Sequence, residues 1–449
     1  MTAVVGHAAL EKGPSGGTAG WLAPDAALPH RDELLTVDGV RRMLDRLPRT
    51  SPRPTFERIE RVKAKYRLGE SVRALHRLHR GGAAQLVAAR MVSRDYGSLV
   101  ASALATAAPS AWPGVAGDEE TGTVLWTLPA DRKLDVTSLL QPDAAIYRRA
   151  FAGTQVTPEL VSHTPERAAI ARLVDARTGL VLGFGKVYAD DTAGHAATLL
   201  AALDTAQATR RDRVTMPRVL GVDRGARTIV VDAVPGEPLA MLSHVHLRVA
   251  FRELGVALAR LHALPVPPLP SFQRFESRRL GTAAQLLARA RPDVASLANR
   301  SSHVLARTAP SAADLVCLHG DVNSRNWLVR LDEATGCRRV GLIDLDQAAV
   351  GPAAADLGAV LAYLRYRTRT RAGGADDRAG ERALAQSLLD GYGSVRALPD
   401  ARTLAWYAGA ASLVERALRS VTRVRPEGLA VLPGILEDAL GWAEEAGDA

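Results

Sequence analysis

At 449 residues, 47% apolar and 23% charged, the chain is long enough for two or three domains with sizeable cores and has an ordinary globular composition. Two cysteines, Cys317 and Cys337, exclude a disulfide framework and a cysteine metal site, and no uncharged apolar run approaches the roughly 18 residues of a membrane span. The net charge of +9 comes almost wholly from 52 arginines spread along the chain, with 6 Phe and 8 Tyr and no nucleic-acid-binding signature, so we expect a cytoplasmic protein without a nucleic-acid or membrane partner.

Residues 1–30 are rich in Gly, Ala and Pro without periodicity and read as a mobile tail. A helix is expected over 38–47, then strands at 59–66, 71–78 and 85–92 separated by the turns Leu68-Gly69-Glu70 and Gly81-Gly82. A helix over 97–106 and a strand over 123–128 complete an accessory block of 31–150. Strands at 160–163, 168–174 and 180–188 repeat the pattern. SVRALHRLHRGGAAQLVAARMVSRD and ERAAIARLVDARTGLVLGFGKVYADD share turn positions, an Arg-Leu pair and a closing basic strand residue, Arg90 in one and Lys186 in the other. An internal duplication explains this. Chance similarity between two meanders explains it as well.

A helix over 193–208 and strands over 218–222 and 228–232 follow, and Val234-Pro235-Gly236-Glu237-Pro238 closes the block with turn chemistry that suits a hinge. From His246 the period changes to three and four, with Leu247, Phe251, Leu254, Leu258 and Leu261 on one face. Further helices are expected over 282–290, 354–366, 380–392, 402–419 and 428–445. Strands first and helices afterwards make an α+β chain.

The chemistry concentrates in CLHGDVNSRNWLVRLDEATGCRRVGLIDLDQAAV, residues 317–350. Val316, Cys317 and Leu318 lead into a His319-Gly320-Asp321 loop, and Trp327, Leu328 and Val329 leave it, which holds polar groups rigidly near a surface. A carboxylate at Asp321 would take or orient the proton of an acceptor hydroxyl. The amide oxygen of Asn326 would suit a divalent cation. Asp344 interrupts the apolar run 340–345, read as a buried strand. Burying a carboxylate there without a partner is costly, so a cation would complete it; an Asp capping a turn is the other reading. Asp346, expected on the same strand face, would assist the cation or stand in solvent.

HGDVNSRNWL followed by GLIDLDQAAVGPAAADLG resembles the paired motifs of the aminoglycoside phosphotransferase and choline kinase group, and the resemblance runs from about Glu159 onward. It implies a protein-kinase-like two-lobed fold, an antiparallel sheet N-lobe over 151–235 and a helical C-lobe over 236–449, behind an extra N-terminal α+β subdomain. It also implies an ATP- and Mg2+-dependent phosphotransferase acting on a hydroxyl of a small molecule. Asp321 would be the catalytic base, Asn326 and Asp344 the metal ligands, and Asp356 the residue that fixes the catalytic loop around His319. Lys186, the only lysine after Lys133, stands where the group contacts nucleotide phosphates, and the segment with Asp232 and Val234 would meet the adenine through its backbone.

Two departures stand out. The helix after Lys186 has no Glu to pair with it, only Asp204 late in the helix, and the turn Thr164-Pro165-Glu166-Arg167 has no glycine, leaving Arg167 to reach a phosphate. A catalytically weak kinase-like binding protein is therefore the alternative. For the acceptor, Asp376, Asp377, Glu381 and Glu415 would suit a polycationic aminoglycoside, while Arg365, Arg367, Arg369 and Arg371 would suit an anion or simply complement a helix C-terminus. A sheet-rich extension before a kinase core also resembles bacterial maltokinases, which brings in a sugar.

Overall fold

The computed structural model describes residues 20–47, 55–106, 112–243, 246–311, 315–332, 337–371 and 378–448. Residues 1–19 of the expected tail, and Asp376 and Asp377, lie outside them. The chain is α+β. It divides into two compact units, one holding the described residues up to Ala197 with Val219–Ala233 and Thr422–Pro426, the other holding Thr198–Arg218, Val234–Val421 and the residues from Glu427 on.

The first unit contains two five-stranded antiparallel sheets. β1 (Arg58–Arg67), β2 (Ser71–Arg80), β3 (Ala83–Val92), β4 (Val115–Asp118) and β5 (Thr123–Thr127) are ordered β1-β2-β3-β5-β4. β6 (Val156–Thr164), β7 (Ala168–Asp175), β8 (Val181–Tyr188), β9 (Val219–Asp223) and β10 (Thr228–Asp232) are ordered β6-β7-β8-β10-β9, the same arrangement one repeat later. A helix follows the third strand in each, Tyr96–Ala105 and Thr192–Ala206. The registers agree too. Arg90 pairs with the third residue of β2, Arg73, and the second of β5, Val124; Lys186 pairs with the third of β7, Ile170, and the second of β10, Ile229. Each first strand carries a one-residue irregularity, next to Arg61 and next to Leu160. Matching order, register and bulges favour duplication over chance.

Each sheet has its own core. Leu75, Ala88, Val124 and Trp126 pack under Leu99 and Ala103 of the first repeat's helix, while Tyr147, Ile146 and Leu139 cover Ala171, Leu173, Val187 and Val230 in the second. β4 was not expected from sequence, because four residues with a central glycine carry no alternation. Gly117 leaves room there for the Tyr96 hydroxyl, which would stand 2.3 Å from a Cβ at that position and would have to shift.

In the second unit, β11 (Glu237–Pro238), β13 (Trp327–Asp332) and β14 (Cys337–Leu342) form one small sheet, and β12 (Leu315–Leu318) pairs with β15 (Ala349–Pro352). Helices make up the rest. Leu247–His262 buries the expected apolar face. Ala295–Arg307 was missed because its buried positions, Ala298, Ser301, Ser302 and Leu305, are mostly small or polar and hide the helical period. The helix expected over 402–419 is broken by a π-helical stretch, Ser412–Ala417, between Ala401–Ala411 and Leu418–Thr422. The one over 428–445 begins as Pro426–Ala430 and resumes as Leu432–Asp448.

One correction touches the candidate site. β14 ends at Leu342, so Asp344 is not inside a strand: it takes a left-handed conformation, φ 61° and ψ 56°, and leads into a 3-10 turn, Leu345–Gln347, that carries Asp346. The chain is diverted by bonds outside the ladder, Leu342 N donating to Thr215 O at 2.9 Å and Ile343 N to Asn326 O at 2.9 Å. Asp346 therefore shares no strand face with Asp344.

Candidate active site

The loop 319–326 is held from three directions. The Asp356 carboxylate, 2% exposed in the first turn of helix Ala354–Thr370, accepts His319 N at 2.7 Å and Gly320 N at 3.0 Å. It also meets His262 Nε2 at 3.1 Å, and His262 Nδ1 meets the Tyr392 hydroxyl at 3.1 Å. Burial raises the Asp356 pKa, but the His262 hydrogen bond and charge and the backbone amide outweigh it and hold the carboxyl below its ordinary value. His319 is fully buried and donates Nε2–H to Ile343 O at 3.1 Å, tying the loop to the segment that presents Asp344. Gly320 sits at φ 76°, and a Cβ there would lie 2.0 Å from Gln347 O, so only glycine fits.

Asp321 is half-buried and surrounded by donors. Its Oδ2 accepts the side-chain amides of Asn323 at 3.1 Å and, more weakly, Asn326 at 3.4 Å, while its carbonyl accepts the Asn326 amide at 3.0 Å. Arg419 Nη1 donates to Oδ1 at 3.2 Å. Burial raises the Asp321 pKa, yet the charges of Arg419 and Arg274 bring it below the ordinary carboxylate value, so this group is ionised through the neutral range. Behind it Glu415, 2% exposed, pairs with Arg274 and, at 3.5 Å, with Arg419, and Arg274 Nη1 donates to Gly320 O at 2.6 Å. Arg274, Arg419 and His262 had no sequence signal, because they meet Glu415, Asp321 and Asp356 across 94 to 141 residues, beyond any local spacing rule; Asn323, two residues from Asp321, lay within the motif and was passed over.

Asn326 turns its amide N–H groups to Asp321, which leaves Oδ1 as a hard oxygen donor beside the Ile343–Asp344 turn. Among the described residues no group of three or more His, Cys, Asp or Glu side chains could hold a metal. Magnesium does not require one, since it usually takes one or two protein carboxylates and fills its shell with phosphates and water, so an amide oxygen and Asp344 suit it.

The remaining expected residues fall as follows. Lys186 is half-buried on β8, its ammonium 4.8 Å from the centre of the Tyr188 ring, and Asp232 ends β10 opposite Gly183. Both belong to the first unit, whereas Val234 opens the second-unit segment and packs its Cγ1 against the Gly341 backbone. The two expected acceptor carboxylates among the described residues are engaged: Glu381 pairs with Arg365, and Glu415 with the arginines around Asp321. Arg365 and Arg369 both pair with Asp438, so these two are internal ties.

Residues 160–398 match the phosphotransferase enzyme family. An aminoglycoside 3'-phosphotransferase of Streptomyces fradiae is 33% identical over 208 residues, covering 44% of this chain and 72% of that protein. The chain belongs to the phosphotransferase enzyme family, and we assign it as a phosphotransferase with an alcohol group as acceptor. Among solved structures, an aminoglycoside phosphotransferase from Streptomyces rimosus matches at 23% identity and TM-score 0.41 over 63% of this chain and 98% of that one. A choline kinase from Streptococcus pneumoniae matches at 15% and 0.44 over 64% and 94%. Among the described residues no helix is long and apolar enough to cross a membrane.

Proposed function

We propose that this protein transfers the γ-phosphoryl group of ATP, with Mg2+, to a hydroxyl of a small molecule such as an aminoglycoside, a sugar or a related metabolite. The observation that carries the reading is Asp321: an ionised, donor-held carboxylate at the lip of a loop anchored by Asp356. In the reaction the acceptor oxygen bonds to the γ-phosphorus, the bridging P–O bond breaks to release ADP, and the hydroxyl proton passes to Asp321. A loosely bonded transition state asks for alignment more than strong basicity, which suits a carboxylate of lowered pKa. Bound Mg2+ would neutralise phosphate charge. Asn326 and Asp344 would hold it, Lys186 would contact the phosphates, and the backbone of Asp232 to Val234 would receive the adenine.

Titrating the protein with ATP in the presence and absence of Mg2+, followed by a panel of hydroxylated acceptors with ATP consumption as readout, tests the assignment. Tight magnesium-dependent binding with acceptor-dependent turnover is expected. Binding without turnover on any acceptor would instead favour the kinase-like binding protein, a reading supported by helix Thr192–Ala206, whose only acid is Asp204.

Two further outcomes follow. Lys186→Ala should raise the KM for ATP by roughly 10-fold and lower kcat, with the acceptor KM unchanged, read from initial rates with each substrate varied in turn. Arg419→Leu removes the nearest positive charge from Asp321, so the acid limb of kcat/KM should move to higher pH. The sign follows from the lowered pKa: wild type keeps its base ionised to below the usual carboxylate value, and the variant loses it sooner as pH falls.

A further inference from the structure

The turn between β6 and β7 is where a glycine-rich cover would stand, and here it is gripped. Glu166 holds φ 57°, a left-handed conformation that a residue with a Cβ rarely adopts, and its carboxylate is 1% exposed. Arg132 Nε donates to Oε1 at 2.6 Å; Arg90 Nη1 and Arg73 Nη1 donate to Oε2 at 2.8 and 3.1 Å. The backbone is held as well: Glu166 N donates to Asp131 Oδ2 at 3.0 Å, Arg73 Nη1 to Pro165 O at 3.2 Å, and Lys63 Nζ to His163 O at 3.1 Å. Arg73 and Arg90 lie on the accessory sheet, Arg132 on the connection between the repeats.

The duplication adds meaning to this contact. Arg90 occupies in the first repeat the register position that Lys186 occupies in the second. The cation at the first repeat's phosphate-lysine position thus binds a carboxylate of its sister repeat. That carboxylate lies in the turn next to Arg167, whose carbonyl accepts Ala189 N at 3.0 Å just beyond the strand carrying Lys186. A carboxylate buried this deeply must be paired, and three guanidinium groups converging on it do so in a single geometry. They fix one shape of the turn.

We propose that Glu166 is a positioning residue for the nucleotide side of phosphoryl transfer: the accessory repeat, through Arg73 and Arg90 and together with Arg132 of the connection, clamps the β6–β7 turn and thereby sets the affinity for the nucleotide phosphates. The clamp replaces by rigid ion pairing what a glycine-rich turn achieves by close backbone approach. It also gives the accessory repeat a role in the reaction without a ligand of its own. The inference rests on the ATP-dependent reading above.

The test uses the full chain. Wild type is assayed first, and absence of nucleotide binding there would remove the kinase reading itself. With wild type active, Glu166→Gly retains a residue suited to φ 57° while cutting all three ion pairs, and the KM for ATP should rise by about 10-fold with kcat and the acceptor KM changing less than about 2-fold. Glu166→Gln, nearly isosteric, should shift the same constant in the same direction if the glycine variant folds poorly. Arg90→Gln should do so too, and combining it with Glu166→Gln should add less than the product of the two single effects. Variants that lose thermal stability while keeping the wild-type KM for ATP would overturn the proposal, because a purely structural tie predicts that pattern.

Discussion

Asp321→Asn should lower kcat by about 10³-fold while leaving the KM for ATP within about 2-fold of wild type. Asparagine keeps the size of the side chain and offers one acceptor oxygen, so the loop built on Asn323, Asn326 and Arg419 has a neutral replacement in place. In the proposed role, what disappears is the negative charge facing the acceptor hydroxyl and the site that receives its proton. General base contributions of 10²- to 10⁴-fold are typical, and phosphoryl transfer draws the larger part of its acceleration from alignment and phosphate neutralisation, hence the middle of that range. Steady-state rates and single-turnover measurements at saturating ATP would read the effect. Unchanged turnover would remove Asp321 from the role of base, and a large rise in the ATP KM would point to a disturbed loop instead.

The second large effect is expected at Asp356. Replacing it by alanine should destabilise the protein by about 3–5 kcal/mol and lower activity by at least about 10²-fold. Its carboxylate is the shared acceptor for the His319 and Gly320 amides and for His262, all buried. Without it two backbone N–H groups and an imidazole lose their partner away from water, and the residue leading into Asp321 loses its anchor. Urea or thermal unfolding measures the first consequence and kcat the second. The pH dependence has a definite sign. Because the folded-state pKa of Asp356 lies below the unfolded value, its stabilisation is fully present above the ordinary Asp range and is lost as pH falls through the folded pKa; alanine should remove that acid-side dependence. An Asp356→Ala protein as stable as wild type would show the hydrogen bonds to be replaceable.

These effects reach beyond the motif that first marks the site. The His319-Gly320-Asp321 loop stood out only in context: the Asn five residues on is a weak signal alone, and the Asp344 run downstream and the family resemblance made it a candidate. Lys186 was singled out because lysine is scarce in this chain and because the resemblance places a phosphate-contacting lysine there; it lies within β8, two residues before its end. The assignment of Asp344 to a strand failed because an apolar run, LID, has the composition of a strand interior whereas hydrogen bonds from Leu342 and Ile343 to the Thr215 and Asn326 carbonyls decide where the ladder stops. Aspartate tolerates φ 61° better than most residues, but nothing in the sequence marks that conformation here; the surroundings select it.

By itself, then, the sequence determined the α+β order and the family and offered a repeated meander and a candidate catalytic loop, because each is written in short-range period, turn residues and motif spacing. Tertiary structure alone decided which charges meet. It drew Arg274, Glu415 and Arg419 to Asp321, His262 to Asp356, and three arginines of and beside the accessory repeat to Glu166. Ion pairs across tens or hundreds of residues leave no period in a chain that carries 52 arginines, and their pairing is set only when packing brings particular backbones within reach.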